Sequence, residues 1–199
     1  CRLTANQAGN DDYEAAPEKT HDITVGKGTQ VVSFATGTPS NKVFNAAAFI
    51  VNNVSGASGE PVVISSQTET VCSINNNTVS ILAAGNCILA ANQAGNDDFY
   101  AAPEVTHSIA IGKSAQTVSF ALDTPVNKRV GDGDFTVSAI SDTSGKLASI
   151  TSNTTTICSV NNGTVSILKA GTCSLAANQT GDNDYQAAPE KVHSISISK

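Results

Sequence analysis

Five cysteines are the residues best suited to chemistry in this chain: Cys1, Cys72, Cys87, Cys158 and Cys173. Thiolates act as nucleophiles or soft-metal ligands, and in pairs they close disulfides. Cys72 and Cys87 stand fifteen positions apart, and so do Cys158 and Cys173. The economical reading is two disulfides, Cys72–Cys87 and Cys158–Cys173. Metal binding is the rival use, but two sulfurs without clustered histidines fall short of four ligands. Cys1 is left over. It is unpaired, bonded to another molecule, or the second half of a bridge whose first half lies upstream. Disulfides imply an oxidising compartment, outside the cell or in a bacterial periplasm in transit.

Oxygen-rich loops are the next candidates. The pattern Asn-Gln-x-Gly-x-x-Asp-Tyr/Phe occurs as Asn92, Gln93, Gly95, Asp98 and Phe99, and again as Asn178, Gln179, Gly181, Asp184 and Tyr185. Carboxylates and amide oxygens suit Ca²⁺, so Asp97, Asp98, Asp182 and Asp184 are calcium candidates, with Asp11 and Asp12 at the matching N-terminal place. The plainer reading is a polar loop between the last two strands, its aromatic ring closing one end of a sandwich. The spacing is that of no recognised calcium loop, and no other cofactor is expected. Asp132-Gly133-Asp134 reads as a solvated turn. His21, His107 and His193 are too far apart in sequence to share one centre and read as rim residues. No Ser/His/Asp or Cys/His arrangement is present, and no pair of carboxylates has an evident cleft. The expectation is a protein that is not an enzyme.

The spacing of these residues points to a larger regularity. Cys1 and Cys87, Cys87 and Cys173, and Cys72 and Cys158 are all 86 positions apart. The offset holds without a gap: CRLTANQAGNDDYEAAPEKTHDITVGK at 1–27 returns at 87–113 and again at 173–199. A period of this length is a whole domain, whereas solenoid and propeller repeats are shorter. The expected organisation is the remnant of a preceding unit at 1–25, one unit at 26–111 and another at 112–199. From Cys72 to Gly112 about two-thirds of positions equal their partners 86 later, but from Asn41 to Val63 fewer than one-third do. The joints Gly26–Thr29 and Gly112–Ala115 are too short to act as tethers, which predicts an elongated tandem array.

Composition fits small domains. Of 199 residues, 40% are apolar, enough for a packed core, and 14% are charged, with a net charge of -6. The acidic balance argues against a phosphate-rich partner, so no nucleic acid is expected. No apolar run approaches the roughly 20 residues of a membrane span. The absence of methionine reads as a chain that begins within a longer product.

No stretch shows a helical period. Thr117–Phe120, Phe135–Ala139, Thr164–Ile167 and His193–Ile197 alternate apolar with small polar residues, the pattern of half-buried strands. Asn162-Gly163 is a two-residue hairpin signal, and Asn76-Asn77 stands in its place one repeat earlier. Pairing across it sets Val160 opposite Val165 and Cys158 opposite Ile167, so Cys158 faces the core. Cys173, Leu175 and Ala177 alternate on the following strand, which lets the two cysteines approach. About seven short strands per unit predict an all-β immunoglobulin-like sandwich.

The string SNTTTICSVNNGTVSILKAGTCSLAANQ at 152–179 resembles the immunoglobulin-like repeats of large bacterial surface proteins. Residues 94–103 and 180–189 resemble the tail of the cysteine-bearing subset of that family. The resemblance implies tandem extracellular domains that serve as stalks of adhesins or as spacers. It points to a non-catalytic spacer at the bacterial surface whose partners are neighbouring repeats. The alternative is a module that binds carbohydrate or a host protein through the variable strand face. Separately, residues 1–25 supply only two strands, so they are expected to be a stub or to self-associate, completed by strands of another chain at an exposed edge.

Overall fold

The computed structural model describes all 199 residues, and every regular element is a strand. The chain opens with a hairpin of β1 (Arg2–Gln7) and β2 (Ala16–Asp22). Nine strands follow: β3 (Ser33–Phe34), β4 (Asn41–Val43), β5 (Phe49–Ile50), β6 (Asn53–Val54), β7 (Val62–Ser66), β8 (Cys72–Asn75), β9 (Thr78–Ile81), β10 (Gly85–Gln93) and β11 (Val105–Gly112). The same nine recur 86 residues on: β12 (Val118–Phe120), β13 (Asn127–Arg129), β14 (Phe135–Thr136), β15 (Ala139–Ser141), β16 (Ser149–Ser152), β17 (Cys158–Asn161), β18 (Thr164–Ile167), β19 (Gly171–Asn178) and β20 (Lys191–Ser198). The strands gather into two compact units. One holds Cys1–Thr38, Val51–Ser65 and Ala90–His107; the other holds Pro39–Ile50, Ser66–Leu89 and Ser108–Lys199.

In the second unit the strands β13-β20-β19-β16 form one sheet and β14-β18-β17 the facing one. These are the two layers of an immunoglobulin-like sandwich. The hairpin β17–β18 pairs Cys158 with Ile167 and Val160 with Val165, in the register that the alternation predicts. Its turn residues Asn162 and Gly163 take φ values of 47° and 77°. Asparagine and glycine tolerate this left-handed region, and the resulting turn twists with the strands. Between the sheets lie Val137, Cys158, Val165, Cys173, Leu175, Ile195 and Ile197. Phe120, Phe135 and Ile150 close the cluster from its margins. A second cluster of Val118, Ala139 and Ala177 continues the core towards one end.

The stretch Phe135–Ala139 is not one strand. Phe135 and Thr136 pair with Val165 and Thr164. The Val137 amide still donates to the Gly163 carbonyl at 2.8 Å, after which Ala139 pairs with Phe120 of β12. The chain changes neighbours while its apolar residues keep facing the core, so alternation continues through the break. This split, with short β13 lying parallel to β20, makes nine strands where periodicity suggests about seven.

The first unit has a smaller core: Val32, Ala91 and Ala102, packed by Phe34, Val62, Ile64 and Val105. Its β1–β2 hairpin pairs Leu3 with His21 and Ala5 with Lys19, the register in which Leu175 meets His193 and Ala177 meets Lys191. Residues 1–27 are nevertheless all exposed, including Leu3, Ile23 and Val25, whereas the matching Leu175, Ile195 and Ile197 are buried.

The core of the second unit is small and aliphatic, so its covalent cross-link should matter. Replacing Cys158 and Cys173 together by alanine is expected to lower stability by about 3 kcal/mol, the value for a loop of this length. Urea denaturation checks it, and an unchanged midpoint would overturn the expectation.

Candidate functional site

The structure joins Cys72 to Cys87 and Cys158 to Cys173, each pair with its Cα atoms 5.6 Å apart. Each bond runs from the hairpin strand (β8 or β17) to the long strand (β10 or β19) and is fully buried. Hydroxyls support the sulfurs: Ser66 Oγ lies 3.4 Å from Cys72 Sγ, and Ser152 Oγ lies 3.4 Å from Cys158 Sγ. Thr68 and Thr154 accept the amides of Ile88 and Ser174 at 2.9 Å, fixing the strand that carries the second cysteine. Such sulfurs, already bonded and dry, have neither thiolate nor access for nucleophilic chemistry. Cys1 is free and exposed.

The Asn-Gln-x-Gly-x-x-Asp-Tyr/Phe loops are built from their own polar side chains. The Asn96 side-chain oxygen accepts the amides of Asp98 and Phe99 at 3.0 and 2.9 Å. Asn10 does the same for Asp12 and Tyr13, and Asp182 for Asp184 and Tyr185. A Cβ on Gly95 would come within 2.4 Å of the Phe99 carbonyl oxygen, so this close turn needs glycine. Asn92 donates to Glu104 at 3.0 Å, and Asn178 to Glu190 at 3.3 Å. The exchange of Asp and Asn between 96–98 and 182–184 now has a cause. The turn-forming position takes either residue, because Asn and Asp side-chain oxygens accept the two loop amides alike.

The calcium candidates are not gathered into one cluster. Asp97 and Asp98 are exposed in the first unit, while Asp182 and Asp184 are half-buried in the second. Asp182 also takes an ion pair from Lys146. This bond and the two loop amides hold its carboxyl below the usual range, at about 2. One oxygen of Asp184 accepts the Ala84 amide at 2.8 Å. No three His, Cys, Asp or Glu side chains converge as a metal site would require. In the acidic turn, Asp132 caps the Arg129 amide at 2.9 Å. His107 and His193 are half-buried and lie against Phe34 and Phe120, each with ring centroids 5.3 Å apart. His193 Nε2 also meets the Pro125 carbonyl at 2.9 Å. His21 is exposed. Lys27 and Lys113 reach backbone carbonyls, those of Asn96 and Asp182.

The sequence motif singles out Gln93 but not Gln30 or Gln116, and neither loop pattern foretells that these glutamines are buried. Gln30 and Gln93 are buried in the first unit. The amide nitrogen of Gln30 donates to the carbonyls of Ala94 and Tyr100, and its oxygen accepts the Ser58 amide at 2.9 Å. Gln93 donates to the Glu60 carbonyl and accepts the Gly56 amide at 2.7 Å. In the second unit buried Gln116 donates to the Gln186 carbonyl and accepts the hydroxyls of Ser141 and Ser144. These side chains replace the ladder that irregular loops lack, which buried peptide groups demand. The signal was available, because Gln30 and Gln116 stand 86 apart.

The second unit also contains a contact set across residues of different repeats. Tyr185 lies edge-on to Phe44, with centroids 5.4 Å apart at 89°. Its hydroxyl accepts from Asn45 Nδ2 at 2.9 Å.

No family model matches this chain, and no curated protein matches it. Several solved structures do. The S-layer protein rSbsC(31-844) is 9% identical over 98% of this chain and 35% of its own, with a TM-score of 0.36. The D00-D0 domain of intimin is 13% identical over 81% of this chain and 98% of its own, with a TM-score of 0.32. Mouse protocadherin-24 EC1-3 is 13% identical over 100% of this chain and 79% of its own, with a TM-score of 0.37. The chain thus spans about a third of the S-layer protein's length.

Asp182 supplies a pH test. A carboxylate whose folded pKa is depressed contributes stability above its unfolded value, and the contribution disappears as pH falls through the folded value. The window here runs from about pH 4, the ordinary carboxylate value, down to about 2. Asp182→Asn keeps the turn, as Asn96 does, and loses the pair with Lys146. Wild type should be the more stable above pH 4, and the difference should close towards pH 2. Urea midpoints at several pH values check this. A difference that stays constant with pH overturns it.

Proposed function

We propose that the chain is a non-catalytic spacer segment of a bacterial extracellular repeat protein, such as an adhesin stalk or surface fibre. Its units are 26–111 and 112–199, each carrying one disulfide, and residues 1–25 are the closing hairpin of a further unit. The observation that carries this reading is the use of the recurrent polar residues. Asn96, Asp182, Gln93 and Gln179 turn their side chains onto backbone groups of the protein itself, and Asp98 is exposed where its counterpart Asp184 is half-buried against the Ala84 amide. A repeated ligand site would keep some of them pointing to solvent in the same way each time. Two buried cystines support an oxidising location, and the resemblance to bacterial surface repeats agrees with it.

The N-terminal hairpin fits the same account. Leu3, Ile23 and Val25 stand in the register of residues that the second unit buries against Val137, Cys158 and Val165. Their open face matches the side of a half-sandwich, and Cys1 occupies the place of Cys87 and Cys173. This is where a neighbouring repeat, or a second chain, would pack.

Residues 112–199 expressed alone should fold with one cooperative urea transition. A non-reducing mass should show the loss of four hydrogens in the full chain, with Cys1 the one thiol that reacts with maleimide. Scattering from the full chain should give a radius of gyration well above the roughly 16 Å of a compact particle of this length. A value near 16 Å would overturn the extended spacer. Retention on a glycan array, lost on altering the variable strands, would favour the binding module instead.

A further inference from the structure

We propose that Asp184 and Tyr185 form a clasp that recognises Phe44, Asn45 and Ala84, so that the joint at Gly112–Ser114 is coded by residue identity on both sides. The proposal deepens the spacer reading and rests on it. All the residues concerned belong to one compact unit.

The clasp has three contacts of different chemistry. Asp184 accepts the Ala84 amide at 2.8 Å, a bond strengthened by the acceptor's charge. Asn45 donates its side-chain amide to the Tyr185 hydroxyl at 2.9 Å. The Phe44 and Tyr185 rings meet edge to face, the arrangement their quadrupoles favour. Asn45 sits at φ 66°, a conformation that asparagine tolerates better than most residues.

The connecting backbone is held from both directions. The Phe44 amide donates to the Gly112 carbonyl at 2.8 Å. Ser114 donates to the Asp184 carbonyl at 2.8 Å and accepts the Gln186 amide at 2.9 Å. The Gln186 side chain donates to the Lys113 carbonyl at 3.3 Å, and Lys113 Nζ reaches the Asp182 carbonyl. A linker with these bonds has little torsional freedom left.

Residue identity makes the clasp selective. The positions matching Phe44 and Asn45 in the next repeat are Val130 and Gly131. They have no ring to stack and no side-chain amide to donate. On the other side, Asp12, Asp98 and Asp184 are constant, but the following residue is Tyr13, Phe99 or Tyr185. Phe99 lacks the hydroxyl. An Asp-Tyr loop behind a Phe-Asn turn can make all three contacts. Behind a Val-Gly turn it can make only the contact to a backbone amide. The order of repeats therefore decides which joints are stiff.

Backbone ¹⁵N relaxation of the full chain tests this, because it compares the tumbling of amides around Cys87 with those around Cys173. In the wild type both sets should follow one diffusion tensor. Asn45→Ala, Tyr185→Phe and Asp184→Ala should each loosen that coupling. The Asn45→Ala/Tyr185→Phe double variant should be no looser than the worse single one, since both remove the same hydrogen bond. Asp182→Asn alters the same loop outside the clasp and should leave the coupling unchanged. If Asp184→Ala fails to fold, Asn45→Ala decides, because it lies outside the loop. Independent tumbling in the wild type, or coupling that survives Asn45→Ala, overturns the clasp while leaving a flexible spacer possible. Capture of a glycan would overturn the spacer reading and leave the clasp standing.

Discussion

The constraint on which the rest of the structure depends is the thinness of its core. The buried apolar residues are alanine, valine, leucine, isoleucine and cystine, with no aromatic among them. Burial of such side chains contributes roughly 1.5–3 kcal/mol each at best, against a backbone entropy cost of about 1–2 kcal/mol for every residue ordered. A cystine at the centre acts on the other side of this balance, by restricting the unfolded chain. It also occupies the space between the sheets as a well-packed apolar group. Cys158 and Cys173 therefore belong to the core cluster as much as Leu175 or Ile195 does. Position 87 or 173 is bound to a facing strand by geometry as well as by covalent bond.

Short strands follow from the same scarcity. No strand in the hairpin sheet exceeds four residues. Much of the backbone runs in loops, whose amides and carbonyls still need partners when they are covered. Gln30, Gln93 and Gln116 supply them from within. The glutamine amide is well suited to this, because it donates and accepts at once and its stem reaches past a neighbouring strand. The Asn and Asp side chains at 10, 96 and 182 do the equivalent work for tight turns. Asn96, Gln93 and Asp182, which stand in the oxygen-rich motif, thus also serve as loop scaffolding, and their recurrence reflects a repeated loop.

The hairpin signal and the alternation around Cys158 were legible because both are local: a two-residue turn sets the register of everything that follows it. The break at Val137–Ser138 was not legible. A strand that changes sheets keeps its apolar period, and only the identity of its partner changes. Parallel β13 was hidden for a related reason. Its residues Asn127, Lys128 and Arg129 are polar, and it is held by backbone bonds to β20. The contact between Asn45 and Tyr185 spans 140 positions, beyond the reach of any periodic argument.

That contact also alters how the variable part of the repeat is understood. Residues 41–63 differ most from their partners 86 later, and exposed variable strands usually suggest a surface that reads different ligands. Phe44 and Asn45 fall inside this stretch, where Val130 and Gly131 replace them. On the clasp proposed above, the difference between repeats bears on what stands next in the same chain. Selection on such positions would act on the angle and stiffness of each joint one at a time, while the sandwich, cystine and loops stay constant. On that reading, a repeat chain can be stiff at one junction and compliant at the next without any change in its fold.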